Sequence, residues 1–217
     1  MCCAGHLFTQ YVSMSKQAYD TLVSPTEGLY KEKGSKFLSK AFPIQSEEEV
    51  KEILTRLKKE YYDARHVCYA FSLQASILIE RANDDGEPAH TAGTPILNQI
   101  KSFQLSNILV VVVRYFGGTK LGVSGLIQAY KTAAEEALSK VERHTVEPKE
   151  RYRLTFPYEH TGNVMHWIKA LNGIVVHESK TAFNELTLET PLNSEEALRK
   201  KWQAFQKEIS LERLEES

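Results

Sequence analysis

The feature that most constrains this chain is the run Ile108–Val113, six consecutive apolar residues dominated by β-branched types. Strands with an apolar face on each side lie in the middle of sheets. The run ends in "RYFGGTKLG" (Arg114–Gly122), and a helical pattern follows over Val123–Lys140. In it Leu126, Ile127, Tyr130, Ala133, Ala134, Ala137 and Leu138 form a broad apolar face. A strand, a glycine-rich turn and a helix in that order can present backbone amides to an anion. They can also be an ordinary tight turn.

The elements upstream predict a mixed sheet domain. Strands are expected over Leu29–Lys33 and Lys36–Phe42, with Gly34 between them. Ser46 and Glu49 have capping-box spacing, and Val50, Ile53, Leu54, Leu57 and Tyr61 follow helical periodicity. "HVCYAFSL" (66–73) alternates as a strand does, and "SILIERA" supplies a partner for it. "NDDGEPAHTAGTP" (83–95) reads as a loop, after which Thr94 as N-cap and Pro95 at the first helical position open another helix.

"ERHTVEPKE" (142–150) is polar, contains Pro148 and marks the expected domain boundary. Beyond it the pattern predicts strand Arg151–Phe156, helix Glu159–Leu171, strand Gly173–Glu178, strand Phe183–Thr190 and helix Ser194–Ile209, with "LERLEES" as a fraying tail or a short last element. This βαββα order suits an α+β sandwich with helices on one face of a sheet. The expected domains are 1–145, in which 15–27 is a leading segment, and 150–217.

Charge narrows the function classes. Residues 1–150 hold 18 of the 27 Lys and Arg and 18 of the 28 Asp and Glu, so neither part is basic. Binding to nucleic acid would need a local cationic patch. The cysteines Cys2, Cys3 and Cys68 show no zinc-ligand spacing, and Cys68 reads as a buried small hydrophobe. No apolar run approaches the roughly 18 residues that span a bilayer, and the start lacks the charged region of a signal peptide. The expectation is a soluble, reduced, cytoplasmic protein with no membrane contact, no metal and no cofactor.

Two constellations could carry chemistry. At the turn, Arg114, Tyr115, Gly117, Gly118, Lys120 and Gly122 combine cationic donors with glycines that allow close backbone approach. They are the candidate anion or nucleic-acid site, although the spacing matches neither phosphate-loop pattern. In the loop, Asp84, Asp85 and Glu87 could bind a divalent ion, although EF-hand spacing is not met, act as acid and base, form a solvated turn, or pair with Arg114 or Lys120 as one interlocked unit. His66 and His90 have no nucleophile beside them. Ser124 in "GVSG" does not make a nucleophile elbow, because Leu126 stands where G-x-S-x-G requires glycine. No catalytic residue is assigned.

"NDDGEPAHTAGTPIL" (83–97) and "NILVVVVRYFGGTKLGVSGLIQAY" (107–130), with "KGSKF" (33–37) and "DARHVCYAF" (63–71) upstream, resemble the IMPACT/YigZ family over most of residues 28–140. The chain departs from the family pattern at His90 and Ser124, which replace glycines, and at Gln128, which replaces an arginine. The resemblance implies an N-terminal domain similar to the second domain of a small-subunit ribosomal protein, with a left-handed βαβ crossover. It also implies a ferredoxin-like C-terminal domain similar to domain five of elongation factor G, as in bacterial two-domain members. Eukaryotic relatives regulate translation by competing with an initiation-factor kinase for its activator. The implied function is therefore a translation-linked regulator that binds ribosome, RNA or a protein partner such as a translation factor, a reading that favours a binding protein over an enzyme. Sequence-specific DNA binding is not expected. The alternative is a hydrolase of a phosphorylated or peptide substrate that uses the DDGEP carboxylates and the RYFGGTK turn.

Overall fold

The computed structural model describes residues 18–74, 78–180 and 182–214. The chain divides into two compact units between Val146 and Glu147. Cys2, Cys3 and the start of the expected leading segment lie outside the described residues.

The first unit is built on a five-stranded sheet in the order β2-β3-β6-β4-β5. Its strands are β2 (Thr26–Glu32), β3 (Ser35–Pro43), β4 (His66–Gln74), β5 (Leu78–Asn83) and β6 (Ile108–Tyr115). Every ladder is antiparallel. β6 is the middle strand, and Ile108 through Val113 are all fully buried. Its even and odd residues supply two different cores. Ile108, Val110 and Val112 pack with α2 (Gly93–Ser102) and α3 (Gly122–Leu138), while Leu109, Val111 and Val113 pack with α1 (Glu47–Glu60). The period-two alternation of a strand places its side chains on opposite faces, so this sheet is covered on both sides.

α1 begins as the spacing predicts. The Glu49 amide donates to Ser46 Oγ at 3.2 Å, and the Glu49 carboxylate accepts from the Gln45 amide at 2.7 Å. The β2–β3 hairpin turns through Lys33 and Gly34, both at positive φ (45° and 81°). That geometry matches the right-handed twist of the flanking strands.

Two expectations are corrected. The 15–27 segment is not merely leading chain: Tyr19–Leu22 forms β1, and β2 has begun by Thr26. β1 pairs with β7 (Arg143–Val146), and the division between the units follows directly after β7, within the stretch 142–150. Thr21 Oγ1 and the Ser106 amide tie β1 to the loop before β6, which gives a polar segment a reason to form a strand. The α2 helix starts at Gly93, with Ala92 and not Thr94 at the N-cap.

The second unit runs β8 (Lys149–Phe156), α4 (Thr161–Ala170), β9 (Ile174–Lys180), β10 (Asn184–Pro191), α5 (Glu195–Gln203) and β11 (Ser210–Leu214). The sheet order is β11-β8-β10-β9, again wholly antiparallel. Tyr152, Leu154, Phe156, Leu186 and Leu188 face α4 and α5 across a core that includes Val164, Trp167, Ile168 and Leu198. The last helix is shorter than its apolar pattern suggests. It stops at Gln203, and Ile209 enters the core from the following turn, where its carbonyl accepts from the Trp202 indole at 2.6 Å. The tail contributes β11.

Candidate functional site

β6 carries Arg114 and Tyr115 to the edge of the first core, and the chain then passes through Phe116–Leu121 into α3. Gly117 fixes this loop to the β2–β3 hairpin. Its amide donates to Ser35 Oγ at 3.2 Å, and a Cβ at this position would stand 1.8 Å from Gly34 C and 2.1 Å from Ser35 N. No side chain fits there. Gly118 and Gly122 serve a different need, since both take positive φ (86° and 74°) and face open space.

At the head of α3, Leu121 occupies the N-cap with no side-chain acceptor, and the first turn holds no acid. Such an end leaves backbone N–H groups unsatisfied and partly positive. Lys120 is exposed and has no hydrogen bond or ion pair among the described residues. Phe116, Val123 and Ile127 surround this end with exposed apolar surface.

Arg114 points the other way. It is buried, and its Nη1 donates to Glu87 Oε1 at 2.5 Å. Its guanidinium lies 5.5 Å from the Phe37 ring and 5.7 Å from the Phe116 ring. The same Glu87 oxygen accepts from the Tyr130 hydroxyl at 2.8 Å and lies 3.9 Å from His66 Nε2. Burial, with Cys68 and Glu87 beside it, pushes the Tyr130 hydroxyl far above the ordinary tyrosine range. Burial likewise pushes the Cys68 thiol up. Cys68 Sγ is 3.0 Å from the Asp84 carbonyl oxygen and 3.3 Å from Tyr130 Oη. Neither group is a nucleophile at neutral pH.

The other two loop carboxylates are also engaged. Asp85 takes φ 41° ahead of Gly86, accepts from the Val67 amide at 2.7 Å and pairs with Lys58 at 3.0 Å. Its carbonyl oxygen is 2.8 Å from His66 Nδ1. Asp84 accepts from the amides of Ala92 (3.0 Å), Gly93 (2.8 Å) and His90 (2.9 Å). It thereby caps α2, which has no acceptor at its own N-cap. Partial burial raises the Asp84 pKa, but the three amide donors outweigh it and hold the carboxyl below its usual range. His90 sits at φ 64°, and its Nδ1 is 3.2 Å from Thr94 Oγ1.

Of the pairings open in the sequence, Arg114 with Glu87 forms, while Lys120 is not drawn to any carboxylate. Tyr115 points away from the loop and donates to Asp63 at 2.9 Å. Desolvation and that carboxylate push its hydroxyl up to about 12. Among the described residues no group of three His, Cys, Asp or Glu is arranged to hold a metal ion. The residues that the sequence reading missed are Tyr130, Cys68 and Ser35. They come from distant segments, and only the fold brings them to Glu87 and Gly117.

A glycine-rich turn fixed to a hairpin leads into an uncapped helix, and Glu87 of the acidic loop pairs with the buried Arg114 at its base. The family of the Impact N-terminal domain matches residues 33–138. IMPACT family member YvyE of Bacillus subtilis is 40% identical over 107 residues, 49% of each chain. IMPACT family member YigZ of Escherichia coli is 31% identical over 161 residues, 73% of this chain and 79% of that protein. The match to YvyE thus spans about half the length of that relative. The crystal structure of a hypothetical protein superposes with a TM-score of 0.66 at 27% identity, covering 93% of this chain and 99% of that one. The chain belongs to the IMPACT family.

Proposed function

We propose that this protein is a translation-linked regulator that works by binding ribosome, RNA or a translation factor, and that Lys120, Gly118, Gly122 and the free amides of α3 form its contact surface. The observation that carries the reading is the division of charge at the site. Asp84, Asp85 and Glu87 are spent inward on α2, β4 and Arg114, so the chemistry presented outward is cationic and amide-rich. Membership of a family whose eukaryotic members act in translational control supports the regulatory part. The antiparallel β2-β3-β6-β4-β5 sheet supports kinship with the second domain of a small-subunit ribosomal protein. The βαββαβ order of the second unit supports a ferredoxin-like domain akin to domain five of elongation factor G.

Co-sedimentation with ribosomes tests the reading. The wild-type protein should pellet with ribosomes at low salt and be released as salt rises. Lys120→Glu should weaken that association at least fivefold without changing the melting temperature. Retention by Lys120→Glu at wild-type strength would sink the assignment of the surface.

A further inference from the structure

We propose that single-stranded RNA lies across the open end of the first sheet, held by a row of unpaired cations formed by Lys31, Lys36 and Arg65 with Tyr62 as a stacking platform. This rests on the binding reading above and names the ligand class, but it places the contact on the α1 side of the sheet, on residues other than Lys120.

The register sets Lys31 directly opposite Lys36, and Lys36 opposite Tyr115. The pairing of His66 with Arg114 brings Arg65, the residue before β4, level with Tyr115. Tyr115 packs against the α1-side core, so its cross-strand neighbours Lys36 and Lys31 project from that face too. Lys31, Lys36 and Arg65 are exposed, and none has an ion-pair partner among the described residues. None of the carboxylates close by forms an ion pair with the row. Glu27 and Glu60 pair with Lys40, and Asp63 and Glu32 are held by the Tyr115 and Tyr30 hydroxyls.

Like charges directly opposite each other destabilise a sheet. The fold tolerates this pair without a counter-ion of its own, which is what an external polyanion would supply. The row spans about 14 Å at roughly 4.8 Å per strand. A nucleic-acid strand presents charges along a line on that scale. The aromatic element selects single-stranded nucleic acid over an acidic peptide. Tyr62 is 84% exposed, and the bond from Tyr115 to its neighbour Asp63 holds it beside the row. Exposed rings next to a cationic track stack unpaired bases.

The test is fluorescence anisotropy of a labelled 12-nucleotide oligouridylate on the full chain, at 50 and 200 mM KCl. With three phosphate contacts, affinity should fall roughly 20-fold between those salts, at about 0.7 per contact on logarithmic axes. Lys36→Glu should weaken binding about tenfold and reduce the salt slope. Tyr62→Ala should cost between about 5-fold and 150-fold, the range for one stacked base. Lys31→Glu is the discriminating variant, because it should weaken binding while raising the melting temperature, its new carboxylate facing Lys36. The charge-matched Lys169→Glu in the second unit should stay within twofold of wild type.

Equal weakening by Lys169→Glu, or displacement of the oligonucleotide by polyglutamate as readily as by unlabelled oligouridylate, overturns the row. If ribosomes sediment with the protein but the row variants bind the oligonucleotide like wild type, this inference fails and the proposed function stands. If neither ribosomes nor the oligonucleotide binds, both fail.

Discussion

The two sheets differ in how completely they match surface charge across the strands. On the exposed face of the second unit each arginine meets a carboxylate across the ladder. Arg151 stands opposite Glu189 with an ion pair of 2.7 Å, and Arg153 stands opposite Glu212 at 3.1 Å, with Glu185 at 3.4 Å. On the opposite, helix-packed face, Arg213 makes two bonds to the buried Glu150. In the first unit Lys40 meets Glu27 across the ladder in the same way, but Lys31 faces Lys36 and nothing answers either. A sheet whose charges are matched internally has little left to offer a polyanion. A sheet that leaves like charges adjacent keeps its electrostatic potential available to a partner. The difference teaches that net charge is a poor guide here. The chain totals −1, yet its cations are local and unevenly satisfied.

The largest expected effect tests whether matching inside the first unit matters more than matching on either surface. Glu87→Leu strands Arg114 in the core without a partner, and breaking a buried pair in this way costs about 3–5 kcal/mol. Urea denaturation should show the loss. A change below 1 kcal/mol would mean that water reaches Arg114. By contrast Arg151→Leu removes a half-exposed pair and should cost no more than about 1 kcal/mol.

Next in size is the α2 cap. Asp84→Ala removes the acceptor for three amides and should cost about 1–2 kcal/mol. The carboxyl is held below its usual range in the folded state, so folding favours its ionised form. Its contribution is present at neutral pH and disappears as pH falls below the ordinary carboxylate range. Denaturation midpoints of wild type and Asp84→Asn, compared at pH 7 and pH 3, should therefore converge on acidification.

The smallest effect is the most diagnostic for the contrast between sheets. Lys31→Glu should stabilise by a few tenths of a kcal/mol up to about 1, whereas Arg153→Glu, placed beside Glu185 and Glu212, should destabilise by a similar amount. Melting temperatures that move in the same direction would erase the distinction.

Much of this was legible in the sequence, and the failures have physical causes. The valine run announced β6 because full burial on both faces leaves no room for polar residues. The α1 cap was readable because donor and acceptor lie three residues apart. The cap on α2 was not, since Asp84 reaches it from eight residues before Ala92 and only the folded loop brings them together. β7 hid in a polar stretch because its stability comes from β1, which lies more than a hundred residues away. Glu87 could be suspected of pairing with Arg114, but Tyr130 could not be foreseen, because its apolar helical face gave no sign of a hydroxyl partner. The facing of Lys31 and Lys36 follows arithmetically once the two-residue turn at Lys33 and Gly34 is fixed.

The burial of Cys68 beneath the acidic loop has a use beyond packing. It is the one cysteine among the described residues, with no exposed surface and a thiol held protonated. A thiol reagent can reach it only when the Asp84 carbonyl and the Tyr130 hydroxyl part from the sulfur. Its alkylation rate is therefore a built-in clock for how often the DDGEP loop lifts from β4. Any ligand that grips the first unit should slow that clock.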